Sequence, residues 1–185
     1  LPGAFIRRAW LGAALATLGL LAAGSVIADA PSSPGEAASA VMGVLGASPQ
    51  GFARALAPRP LLFPADHGPH PEFRSEWWYY TGNVANGDGR RFAFQLTFFR
   101  FALSPRATVR SSAWASNQIY MAHFTVTDIA HGRFHAAERF SRAALDLAGA
   151  SAAPFRVWLG SWQAGSRDGF FPQRLRAEDG GYAID

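Results

Sequence analysis

The sequence contains no cysteine and no lysine. Without cysteine there is no disulfide framework, no thiolate metal site, no cysteine nucleophile and no lipid-anchor cysteine. Without lysine, all 17 basic residues are arginine, set against 13 acidic ones. The net charge is only +4, and two of those charges, Arg7 and Arg8, sit at the start of the chain. No dense basic run occurs elsewhere, which argues against nucleic acid as a partner. A Ser-His-Asp order, a phosphate-cradling loop and a dinucleotide fingerprint are also missing, so no cofactor is expected. Charged residues are scarce at 16% while aromatics reach 14%, which places the chain among globular rather than disordered sequences.

Arg7 and Arg8 precede an uncharged, mostly apolar run, Ala9 to Ile27, and a small-x-small site follows at Ala28-Asp29-Ala30. This is the order of a bacterial export signal, read as residues 1–30 and sending the protein to the periplasm. Arg7-Arg8-Ala9-Trp10-Leu11 fits a twin-arginine signal as well as an ordinary positive n-region of the Sec type. The run approaches the roughly 20 residues that span a bilayer, so residues 9–27 could instead anchor the protein. Residues 31–60 are rich in Pro, Ser, Ala and Gly and read as a linker with a short helix, stopped by Pro58 and Pro60.

From residue 61 to 185 the signals are β, and the expectation is one antiparallel barrel domain. Asp66-His67-Gly68-Pro69-His70-Pro71 is a stiff loop. Strands are expected at Ser75 to Val84, Arg91 to Phe101 and Gln118 to Asp128, with a hairpin turn at Asn86-Gly87-Asp88-Gly89. Gly132 to Phe140 reads as a short strand or turn, and Ala143 to Ala148 as an apolar connector. Phe155 to Trp162 reads as one strand, with Phe155, Val157 and Leu159 opposite Arg156, Trp158 and Trp162. A last hairpin turns at Asp179-Gly180-Gly181. The chain starts on Leu1 and stops at Asp185 inside an apparent strand, so the reading expects a longer protein. The stretch Glu76-Trp77-Trp78-Tyr79-Tyr80 is aromatic on both faces, which suits a strand with core on one side and a cavity or second layer on the other.

Several stretches together resemble one family. They are Phe63-Pro64-Ala65-Asp66-His67-Gly68, Glu76-Trp77-Trp78-Tyr79-Tyr80-Thr81-Gly82-Asn83, Gln95-Leu96-Thr97-Phe98-Phe99-Arg100 and Met121-Ala122-His123-Phe124. They resemble the N-terminal half of the lipocalin-like AttH family, which includes the carotenoid 1,2-hydratases, or hydroxyneurosporene synthases. The resemblance covers roughly residues 51 to 185. It implies an all-β, lipocalin-like antiparallel β-barrel followed in the family by a second, C-terminal lipocalin-like domain, a partner that this chain lacks. It implies a hydrophobic small molecule such as a carotenoid or lipid as ligand, and membrane or transporter components as further partners. The acidic and aromatic residues of hydratase catalysis lie in the family's second half and are not carried over.

Hydrating a double bond needs a proton donor and aromatic faces to hold a carbocation. Glu76 beside four aromatics supplies both residue types and is the candidate catalytic residue. The competing reading pairs Glu76 with Arg74, Arg100 or Arg139 and makes the aromatics core. The candidate ligand-lining set is Trp77, Trp78, Tyr79, Tyr80, Gln95, Thr97, Arg100, Tyr120 and His123, a mostly apolar wall with a few polar groups. For His123 the favoured reading is a satisfied core histidine, ahead of a lining role, and Arg100 reads also as the partner of a carboxylate. Asp66, His67, His70 and Glu72 are metal-ligating types, but Pro69 and Pro71 stiffen the loop, and no metal site is expected. His67 reads as a loop histidine bonded to the barrel, and His131 and His135 as surface residues on a turn.

Overall fold

The computed structural model describes residues 50–106 and 111–185, together with Gly43. The expected export segment and, apart from Gly43, residues 31–49 of the linker lie outside the described residues; the helical turn expected just before Pro58 is absent, residues 50–52 forming only a turn and bend and 53–56 running irregularly. Among the described residues no helix is long and apolar enough to cross a membrane.

Among the described residues, nine strands follow a 3₁₀ turn at Ala65–His67. They are β1 (Ser75–Ala85), β2 (Arg91–Ala102), β3 (Gln118–Asp128), β4 (Arg133–Arg142), β5 (Ala148–Ala152), β6 (Phe155–Leu159), β7 (Trp162–Gly165), β8 (Arg174–Asp179) and β9 (Tyr182–Ile184). All pairings are antiparallel between sequence neighbours, in two meandering sheets, β1 to β4 and β5 to β9. The fold is all-β, as the turn spacing predicts.

The two sheets pack face to face on one core. Phe92, Leu96, Phe98, Tyr120, Ala122, Phe124 and Val126 come from the first sheet; Phe155, Val157, Leu159, Trp162, Ala164, Ala177 and Ile184 come from the second. Fully burying one such Phe, Leu or Val contributes about 1.5–3 kcal/mol. Phe124 and Trp162 meet edge-on at 5.8 Å across the layers.

Register decides which face of each strand this core claims. Glu76 lies opposite Arg100, Trp78 opposite Phe98, and Tyr80 opposite Leu96, so these β1 residues face inward. Trp77, Phe99, Met121 and Phe140 form one cross-strand row on the outer face. Trp77 is 66% exposed there. The hairpin behind β1 is closed by Asn86, whose side-chain oxygen accepts from the N–H groups of Asp88 and Arg90, with Gly89 in the left-handed region.

The structure departs from the sequence reading in three strand assignments, one in the first sheet and two in the second. The stretch 133–142 is a full strand. Ala148 opens β5 instead of closing a connector; the chain reaches it through Leu145 and Asp146, both at positive φ. Trp162 shares the inward face with Leu159, because a two-residue turn with Gly160 at φ +58° ends β6 and restarts the alternation in β7. His135 also differs from expectation. It sits on β4 facing the second sheet, its Nε2 3.0 Å from Asp179 and its ring stacked on Tyr182.

Candidate functional site

A cleft of about 330 Å³ lies along the first half of β1, the edge strand of its sheet. Its walls are Trp78 and Tyr80 from β1, Phe155 from β6, Phe170 from the segment before β8, and the loop residues Asp66, His67, Gly68 and His70. Glu76 lies at its polar end.

The loop is held flat against the sheets by identifiable contacts. The His67 ring is stacked between Phe63, 4.3 Å away, and Phe170, 3.3 Å away. Phe170 in turn packs edge-on against Phe155. The Trp78 indole N–H donates to the His67 carbonyl at 3.0 Å. Gly68 is buried, and a side-chain carbon there would lie 2.4 Å from the Ala152 Cβ, so β5 leaves room only for glycine.

Charged groups at the polar end engage one another. His70 places Nε2 2.9 Å from Asp66 and Nδ1 3.1 Å from Glu76. Ionised carboxylates only accept hydrogen bonds, so this geometry favours the imidazolium, in which both ring nitrogens donate. These partners, Asp66 foremost, raise the His70 pKa above its ordinary value. Arg59 and then His70 hold the Asp66 carboxyl well below the usual carboxylate range, and Asp66 also accepts from the Leu62 N–H. Glu76 accepts from the His70 N–H on both oxygens and from the Arg100 Nε at 2.6 Å.

Arg100 is fully buried behind Glu76. Its Nη2 donates to the carbonyls of His70 and Phe73, each at 2.8 Å, tying the loop to the middle of the first sheet. Its Nη1 has no partner among the described residues. Tyr80 and Tyr120 both have hydroxyl ionisation pushed up by burial, so both are neutral phenols.

The nine candidate ligand residues therefore divide. Trp78 and Tyr80 wall the cleft. Arg100 and Tyr120 are inward and buried, behind that wall. Trp77 and Tyr79 border the cleft along the β1 edge while their side chains stand exposed on the outer face. Gln95, Thr97 and His123 belong to that outer face, with Thr97 directly between Tyr79 and His123. His123 is 3.7 Å from Glu138 and packs against Phe99. His67 is a loop histidine hydrogen-bonded to β1 through its carbonyl, while its ring is stacked between Phe63 and Phe170. Phe155 and Phe170 were not among the candidates. A signal for Phe170 existed, since Gly169-Phe170-Phe171-Pro172 places two large aromatics in a loop with no strand to bury them.

The AttH-like family profile matches residues 54–185. The chain belongs to the AttH-like family. A crystal structure of an AttH protein from Nitrosomonas europaea is similar to it, with a TM-score of 0.55 and 35% identity over 69% of this chain. The match covers 37% of that protein, so the chain spans little more than a third of its length. Among curated proteins none matches. The AttH-like fold is lipocalin-like, and the two packed antiparallel sheets agree with it.

Proposed function

We propose that this AttH-like chain is an exported lipocalin-like protein that holds a hydrophobic small molecule, an isoprenoid or lipid, in the β1-edge cleft. The observation that carries the reading is the combination of apolar walls, Trp78, Tyr80, Phe155 and Phe170, with charged groups already engaged by one another. A volume of about 330 Å³ is at the small end for ligand sites, and the cleft is open, so a long molecule would seat only part of its length. Export rests on the Arg7-to-Ala30 sequence pattern. Titrating the protein with the neutral apolar fluorophore Nile red tests the binding reading. Saturable binding weakened several-fold by Phe170→Ser is expected; no saturable binding in the wild type would sink it.

The alternative is a carotenoid-hydratase-type reaction, in which a full-length relative adds water to an acyclic carotenoid. Both oxygens of Glu76 already accept hydrogen bonds, which does not favour it as the proton donor. His70 is the cleft residue that carries a proton, and the acid role would fall to it. A carotenoid product heavier by one water, abolished by His70→Gln, would establish this alternative.

A further inference from the structure

We propose that the ligand is an uncharged amphiphile with one hydroxyl or carbonyl oxygen on an otherwise apolar body, and that Tyr80 is the residue that selects it. This rests on the binding reading of the cleft and narrows it to a ligand class.

The argument is an accounting of polar groups along the cleft wall. The Asp66 carboxylate accepts from Arg59, His70 and the Leu62 N–H. Both nitrogens of His70 and both oxygens of Glu76 are engaged. The Trp78 N–H is spent on the His67 carbonyl. Two groups remain. The Tyr80 hydroxyl and the His67 ring nitrogens make no hydrogen bond to any described residue, and both residues wall the cleft. Tyr80 is a neutral phenol, able to donate and to accept.

Each ligand class meets these groups differently. A pure hydrocarbon covers the Tyr80 hydroxyl and the His67 nitrogens and takes away their hydrogen bonds to water without replacing them, which is costly. A carboxylate or phosphate head gives up its hydration on entry and finds the side-chain donors of Arg59 and His70 already turned to Asp66 and Glu76, so no free cation at the wall replaces that water. An ammonium head meets the His70 imidazolium and finds the nearby carboxylates already occupied. A single neutral oxygen satisfies Tyr80, with His67 as a second contact, and asks nothing of the charged network. Sites that hydrogen-bond a ligand oxygen reject the analogue lacking it far more strongly than apolar pockets reject an extra methylene.

The test is a displacement titration of Nile red from the wild-type chain at neutral pH by hexadecanol, hexadecane and palmitate. Hexadecanol is expected to bind about 10-fold tighter than either of the others. In Tyr80→Phe the ratio of hexadecanol to hexadecane affinity is expected to fall to about one. Equal binding of all three, tightest binding by palmitate, or an alcohol preference that survives in Tyr80→Phe would overturn the inference and leave the cleft reading intact. Absence of saturable Nile red binding would sink both. The comparison within the wild-type protein decides the question even if the variant folds poorly, and far-UV circular dichroism reports that directly.

Discussion

Arg100 is the residue on which the loop and the first sheet converge. A guanidinium with no solvent exposure is tolerated only because Glu76 and two loop carbonyls receive its protons. Arg100→Gln removes the charge that balances Glu76 and is expected to cost about 3–5 kcal/mol in urea unfolding. The double variant Glu76→Gln with Arg100→Met should cost less than the sum of the two single changes, because the pair acts as a unit. His70 adds a pH dependence. Folding raises its pKa, so its contribution is complete below the unfolded value of 6.5 and is lost as pH rises through the higher folded value. Asp66 has the opposite sign: its lowered pKa contributes above the unfolded value of 3.8, and that is lost as pH falls. Thermal melts across pH should show wild-type stability stepping down as pH rises past 6.5, and His70→Gln should lack that step.

At the scale of elements, the loop ahead of β1 behaves as part of the sheet it covers. Gly68 shows this, since its backbone at φ −84° is open to any residue and only the approach to Ala152 demands glycine. Gly68→Ala is expected to cost about 1–3 kcal/mol by overpacking. Gly132→Ala, in open space but at φ +57°, should cost about 1 kcal/mol from backbone strain alone. Chemical denaturation of the two variants separates the causes. The first three strands were readable from alternation and from the Asn86-to-Gly89 turn, because both are local properties. Alternation groups Trp77 with Tyr79 and Trp78 with Tyr80 but cannot say which pair faces in. The second sheet makes that choice, through contacts far away in sequence. For the same reason Gln95, Thr97 and His123 could be grouped but not assigned a side. The short strands β5 to β7 were harder, since a two-residue turn at Gly160 resets the period within what reads as one strand.

At the largest scale, the described residues 50–106 and 111–185 form two sheets around one core, with a ligand-sized cleft at one sheet edge and an aromatic row on the first sheet's outer face. The candidate site was half legible. Glu76, Trp78 and Tyr80 fall in one sequence block, whereas Phe155 and Phe170 join them only through packing of the second sheet. The arrangement loads the strands unequally. From Leu96 to Ala102, β2 is buried on both faces except for the partly exposed Phe99; even Thr97, on the outer face, is 2% exposed. β1, β3 and β4 instead alternate between more and less covered positions. Every single substitution, scored by the yield of folded protein, would therefore trace the architecture without any structure. Tolerance should oscillate with a period of two along β1, β3 and β4. Along β2 it should collapse into an unbroken block centred on Leu96 to Ala102, marking that strand as the one whose history of accepted change is the narrowest.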